Sequence, residues 1–190
     1  MSSDLELATP VAGSDDQPAF QLLVERHQAA IRGFLRRLLC GDHGTADDLA
    51  QETFLLAYRK IASWRANGSF SSWLHSIAYR QFLRHAQKYG RQQVMAEPPD
   101  AGCDPGSAVD AEIMLPLLMR QVTPDQRACL TVAFAAGMSH AEIGAVTGLP
   151  VGSVKSHIFR GRQKLQNWLN EHDHSLRTAG PGPAAGCQHG

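Results

Sequence analysis

Arg80, Arg84, Lys88 and Arg91 recur at i, i+4, i+8 and i+11. On a helix turning 100° per residue they fall on one line about 80° wide. No carboxylate stands among them, so unpaired they would repel one another. A solvated basic face is the plain reading of such a line. A rail that tracks phosphates accounts better for the missing acids. Just upstream lies Trp64–Ser72, WRANGSFSS, a loop by composition. Arg65, Asn67, Ser69, Phe70 and Ser71 offer a cation, an amide, hydroxyls and an aromatic wall beside Trp64. Those are the groups a pocket for an unstacked base requires, whereas a plain turn would need only Asn67-Gly68. Trp73, Tyr79 and Phe82 read first as core, but Trp73 shares the line of the rail.

A second constellation spans Ser139–Leu165 and reads as two short helices around a tight turn. Ser139 and Glu142 form a capping box. Gly148 sits where the chain reverses and a positive φ is cheap. Pro150 sets φ at the mouth of the next helix. There Val154, Ile158 and Leu165 share an inner line about 40° wide. Gly152, Ser156, Phe159, Arg160 and Gln163 point outward, with Ser153 and Lys155 on the flanks. An ordinary helical hairpin needs only the inner line. Turn chemistry, small residues and a basic face with one exposed aromatic together indicate a helix-turn-helix for a DNA major groove.

The formal net charge is zero, which at first argues against a nucleic-acid partner. Its distribution argues otherwise. Residues 20–92 hold 11 Lys/Arg against 5 Asp/Glu, and residues 113–172 hold 6 against 3. The acids concentrate at 1–19, a net of −4, and at 93–112, a net of −5. Within the first basic lobe, Asp47, Asp48, Gln51 and Glu52 form a polar, acidic patch. From periodicity alone it is a solvated face whose acids favour a helix N-terminus. Cys40, Cys103, Cys129 and Cys187 show no metal-ligand spacing and read as reduced thiols. No signal peptide or membrane span is expected, nor a nucleotide-binding loop, nucleophile elbow or catalytic carboxylate pair.

The elements that would position these groups are all helical. Residues 1–17 are expected to be a mobile tail. A helix over 18–39 has Phe20, Leu23, Val24, His27, Ile31, Leu35 and Leu38 on one stripe. A second runs from Thr45 to Ile61, capped by Thr45-x-x-Asp48. A third runs from Ser72 to about Gln92. Residues 93–111, rich in Pro, Gly and acids, read as a flexible linker. Residues 112–172 form the second domain. There Thr123-Pro124 starts a helix that turns Leu130, Ala133 and Phe134 inward, and Trp168 and Leu169 pack back at the far end. Residues 173–190 are expected to be a disordered tail. The fold class is therefore all-α, two small helical domains joined by a flexible acidic linker.

On these motifs the chain resembles an extracytoplasmic-function sigma factor of the bacterial sigma-70 family. TADDLAQETFLLAY at 45–58 resembles the core-binding signature of region 2, SFSSWLHSIAYR at 69–80 the promoter-melting segment, and LPVGSVKSHIFRGRQKL at 149–165 the recognition helix of region 4. The resemblance implies region 2 over 18–92 and region 4 over 112–172. It implies that Asp47, Asp48, Gln51 and Glu52 bind the β′ clamp helices of core RNA polymerase, and that region 4 meets the β flap. It implies a −10 and melting set of Arg65, Asn67, Ser69, Phe70, Ser71, Trp73, Arg80, Arg84, Lys88 and Arg91. The −35 set is Ser153, Lys155, Ser156, His157, Phe159, Arg160 and Arg162. Arg80 and Arg84 stand where the family often has Asn and Asp, and His157 where it often has Arg. Gly161 replaces a common Ala, at about 1 kcal/mol of helix propensity.

The function so implied is promoter recognition and melting at a specialised, stress- or envelope-type regulon. The protein would be cytoplasmic and non-enzymatic, with no cofactor or metal and no membrane insertion, and with an anti-sigma factor as a further partner. Two alternatives are a stand-alone helix-turn-helix regulator and a sigma-like decoy that binds an anti-sigma factor. The first leaves the acidic patch and the melting segment unexplained. The second leaves the retained cations unexplained.

Overall fold

The structure is a computed structural model that describes residues 3–14, 16–64, 68–93 and 111–178. All regular elements among them are helices. The first lobe holds α1 (Asp4–Ser14), α2 (Gln17–Leu38), α3 (His43–Lys60), a 3-10 turn (Ile61–Ser63) and α4 (Phe70–Gln93). The second holds α5 (Ala111–Arg120), α6 (Pro124–Phe134), α7 (His140–Thr147) and α8 (Val151–Thr178).

Leu23, Ile31, Leu35 and Leu38 of α2 are buried, as the stripe requires. They belong to one core with Leu49, Ala50 and Ala57 of α3 and Leu74, Ile77 and Ala78 of α4. In the second lobe the core comprises Ala128, Cys129 and Val132 of α6, Ile143 and Val146 of α7, and Val154 of α8. The two sets form a single hydrophobic cluster, because α4 packs along α7 and α2 along α6.

The helix ends follow local chemistry. Both expected caps of the second lobe are complete boxes, Thr123 with Gln126 and Ser139 with Glu142. Gly148 closes α7 at φ 77°. The start of α3 differs from expectation. Asp42 is the cap, its carboxylate accepting from the Thr45 amide at 3.1 Å, and the helix begins at His43. An ionised acceptor at the cap outcompetes a hydroxyl two residues inside the helix.

Four further expectations are corrected. The segment read as a mobile tail contains α1, which buries Leu7, Ala8 and Val11 and pairs Asp4 with Arg26 and His27. Its three buried apolar residues are too few to be conspicuous beside Asp4 and Glu6. α4 begins at Phe70, two residues early, because the Ser69 hydroxyl accepts from the Ser72 amide at 3.1 Å. Phe134 is 68% exposed rather than inward, and Leu169 is 42% exposed. Both border an open groove between α5, α6 and α8 that no element among the described residues fills. Finally, α8 runs to Thr178, past the expected boundary at 172. Residues 94–110 of the expected 93–111 linker, and 179–190 of the expected 173–190 tail, lie outside the described residues.

Candidate nucleic-acid and polymerase interface

The start of α4 carries a small cavity. About 320 Å³ in volume, it is lined by Ser63, Trp64, Ser69, Ser72, Trp73 and Ser76, with Ala145 of α7 at its edge. Ser69, Ser72, Trp73 and Ser76 share one helical face, and with Ser63 and Trp64 they bring four hydroxyls and two indoles together. Ser69 and Ser72 hydroxyls lie 2.8 Å apart, and Ser76 donates to the Trp73 carbonyl at 2.7 Å. Phe70 is not a wall of this cavity. It is 2% exposed and lies beneath, edge-on to Trp64 at 5.2 Å and tilted against Trp73 at 5.4 Å. The expectation that Phe70 meets a base directly is corrected. Being the first residue of an amphipathic helix, it is drawn into the core, and it props the two indoles instead. Ser71 faces His75, accepting from its Nδ1 at 2.8 Å through the backbone carbonyl. Burial lowers the His75 pKa, favouring the neutral ring. Arg65 and Asn67 lie outside the described residues.

Trp73, Ser76, Arg80 and Arg84 continue along one line of α4 within about 80°. Arg80, Arg84 and Lys88 are exposed, and nothing is described of the Arg91 side chain. Lys88 stands 4.9 Å from the Tyr89 ring centroid. Arg84 donates to Gln81 at 3.3 Å, and Gln81 donates to Glu52 at 2.9 Å. The rail and the acidic patch are thus tied side by side, a link that sequence spacing alone could not reveal.

The patch itself is divided. Asp47 is engaged by Arg36 at 3.3 Å and Arg32 at 3.8 Å. Asp48, Gln51 and Glu52 are exposed. Asp48 and Gln51 border a groove of about 580 Å³ with Phe20, Val24, Phe54, Leu55 and Tyr58. Leu55 is 53% exposed there. Asp48 and Gln51 thus stand beside open apolar side chains, more than a merely solvated face requires. The apolar half escaped the sequence reading because Leu55 stands alone between two buried stripes.

On α8, Lys155, Ser156, Phe159, Arg160 and Arg162 are exposed, and Ser153 and His157 are half-buried. Phe159 is 64% exposed. None of the cations has an acidic partner within 4 Å among the described residues. Arg162 turns toward the groove of about 700 Å³ formed with Leu115, Met119, Leu130, Phe134, Leu165 and Leu169. It is therefore set apart from Phe159 and Arg160. Gly161 is buried against α6, where an added Cβ would lie 2.8 Å from Leu130 Cδ1 and 3.3 Å from Gln126 Cβ. Close helix packing explains the glycine that helix propensity disfavours.

Two sigma-70 family models match the chain, region 2 at residues 23–92 and region 4 at residues 113–165. The ECF RNA polymerase sigma-E factor of Escherichia coli is 31% identical over 176 residues, covering 80% of this chain and 87% of that protein. The chain belongs to the extracytoplasmic-function sigma factors of the sigma-70 family. The sigma factor is also 32% identical over 164 residues to the ECF sigma factor SigE of Mycolicibacterium smegmatis, covering 82% of this chain and 63% of that one. Its fold is shared with CnrH, solved in complex with the cytosolic domain of CnrY, at a TM-score of 0.69, 24% identity and coverage of 90% and 99% of the two chains. It is shared too with RpoE of Bartonella quintana, solved with the anti-sigma factor NepR, at 0.64, 24%, 85% and 98%. Sigma factors are non-enzymatic initiation subunits, and regions 2 and 4 are their units for core RNA polymerase and promoter DNA. Among the described residues no helix is long and apolar enough to cross a membrane.

Proposed function

We propose that this sigma factor grips a promoter at two points while seated on core polymerase in the cytoplasm. Region 4 presents Lys155, Ser156, Phe159 and Arg160 to the −35 duplex, with Ser153, His157 and Arg162 flanking. Region 2 takes an unstacked base of the −10 element in the pocket of Trp64, Ser69, Ser72, Trp73 and Ser76. Arg65 and Asn67 join this set from the sequence between Trp64 and Ser69. Arg80, Arg84, Lys88 and Arg91 then hold the phosphates of the freed strand. Melting so performed requires no hydrolysis, because stacking and phosphate contacts repay the lost base pairs. The observation that carries this reading is the alignment of the aromatic pocket and the cations along one line of α4.

Asp48, Gln51 and Glu52, with the apolar groove beside them, are the proposed seat for the β′ clamp helices. Asp47 contributes mainly by holding Arg32 and Arg36 in place. The groove between α5, α6 and α8 suits the β flap. An anti-sigma factor is a further proposed partner, since the sigma factor RpoE of Bartonella quintana, which shares this fold, was solved with the anti-sigma factor NepR. The regulon is of the specialised kind. Run-off transcription with purified core polymerase on a promoter library tests the whole reading. Initiation at a defined set of promoters is expected; failure at every promoter overturns it.

A further inference from the structure

The walls of the pocket at the start of α4 rest on a chain of rings that leads back to α1. Phe70 lies under both indoles, edge-on to Trp64 at 5.2 Å and tilted against Trp73 at 5.4 Å. The next ring beside Phe70 is His27 of α2, with centroids 5.4 Å apart and an interplanar angle of 51°. At such separations aromatic rings set one another's tilt. His27 is in turn held by α1. Its Nε2 lies 3.1 Å from Asp4 Oδ2, and its side chain is 12% exposed. A carboxylate only accepts, so Nε2 carries the hydrogen and donates, which fixes the tautomer and the angle of the ring. The other oxygen of Asp4 accepts from Arg26, so both ends of the carboxylate are engaged.

The same helix reaches a second side of the pocket. Leu7, Ala8 and Val11 are buried where α1 packs on α2 and on the 3-10 turn Ile61–Ser63. That turn supplies Ser63 and ends at Trp64, both of which line the pocket. It has no side-chain cap, and a single 3-10 turn has little stability of its own. Trp64 Nε1 is buried without a hydrogen-bond partner among the described residues, so packing alone orients this indole. A helix that merely completes the core needs only Leu7, Ala8 and Val11. The grip of Asp4 on a ring stacked against Phe70 goes beyond that need, and it lies ahead of residue 23, where the match to region 2 begins.

We propose that α1 is a buttress of the base pocket, with Asp4 and His27 as positioning residues that act through Phe70 to set the Trp64 and Trp73 walls for the promoter base. This rests on the reading of the pocket as a base site. Neither residue touches the base; each fixes the surface on which it stacks.

The test uses holoenzyme assembled from core polymerase and the full-length subunit. The promoter carries a fluorescent adenine analogue in its −10 element, whose emission rises when the base leaves its stack. Asp4→Ala and His27→Ala are each expected to lower the equilibrium constant for unstacking about tenfold, the scale of one charge-assisted hydrogen bond. The double variant is expected to fall no further than His27→Ala alone, since Asp4 acts through the ring. Asp4→Asn is expected to restore most of the signal, because its amide oxygen still accepts from Nε2. Co-elution with core polymerase and affinity for a −35 duplex are expected to match the parent throughout. Parent-like unstacking in Asp4→Ala and His27→Ala overturns the buttress, and Trp73→Ala, measured alongside, then separates the two readings. If Trp73→Ala is impaired, the base site stands without its buttress; if it too is parent-like, both fall. Equal losses in co-elution or duplex affinity also overturn the positioning role, because the damage is then general. Asp4→Asn no better than Asp4→Ala overturns the route through His27.

Discussion

Along α4 the aromatic groups sit low, with Phe70 2% exposed beneath Trp64 and Trp73, whereas on α8 Phe159 stands 64% exposed. The contrast follows from what each surface is proposed to bind. A base pulled out of its stack needs walls on several sides, and walls come from packing a loop, a 3-10 turn and a helix together. A duplex groove supplies its own walls, so the protein need only project side chains from one straight helix. The pocket consequently depends on tertiary structure. The reading helix depends on a local pattern and remains open.

The surest way to separate these two surfaces from the polymerase seat is Asp48→Arg. It reverses a charge beside the apolar groove and is expected to abolish co-elution with core polymerase, leaving the helical circular dichroism spectrum unchanged. Normal co-elution would remove the seat from α3. Next in size is a crossed pair. Arg160→Ala is expected to weaken −35 duplex binding by about 1–3 kcal/mol and leave open-complex stability on a −35-less template intact. Trp73→Ala is expected to cost about 1–3 kcal/mol in single-strand capture by the holoenzyme and leave duplex affinity intact. If each substitution harms both measurements equally, the two surfaces are not distinct.

Smaller effects sharpen the structural side of the contrast. Gly161→Ala gains about 1 kcal/mol of helix propensity. It also forces a methyl into Leu130 and Gln126, and such overpacking costs about 1–3 kcal/mol. A net loss of about 1 kcal/mol, read as a lower melting temperature, is expected; a rise would mean that α6 and α8 are not so close. The smallest effect is on the pocket side. His75 has a pKa lowered by burial from its ordinary 6.5. Its contribution to stability is therefore complete above that value and is lost as pH falls through the lowered folded value. Melting temperatures should decline on acidification from about pH 7.5 to 5.5, and more shallowly in His75→Gln. Identical slopes would deny His75 this role.

Much of the second lobe was legible residue by residue. The Ser139–Glu142 and Thr123–Gln126 boxes and the Gly148 turn form as their local chemistry demands. The outward array of Ser156, Phe159 and Arg160 follows from a single helical period. Less was legible in the first lobe. Phe70 was read as a base contact and is core, and the Asp42 cap was passed over for Thr45. Ser72 and Ser76 join the pocket through a face whose meaning appears only when Ser63 and Trp64 close over it. α1 was passed over because its three buried side chains, though spaced as on one helix face, are too short a pattern to stand out beside Asp4, Glu6 and Pro10.

The amino-acid sequence by itself determined the helices, their caps and the faces they present, since these depend on neighbours within four residues, where backbone hydrogen bonds and side-chain spacing act. It also determined membership of the sigma-70 family through three motifs in order. Tertiary structure alone decided which faces meet. Asp47 falls to Arg32 and Arg36, Glu52 is joined to α4 through Gln81, and Ala145 comes to the pocket at the start of α4 from 69 residues away along the chain from Ser76. Those partners are chosen by the burial of one shared hydrophobic cluster, a quantity that belongs to the whole fold and to no single segment of it.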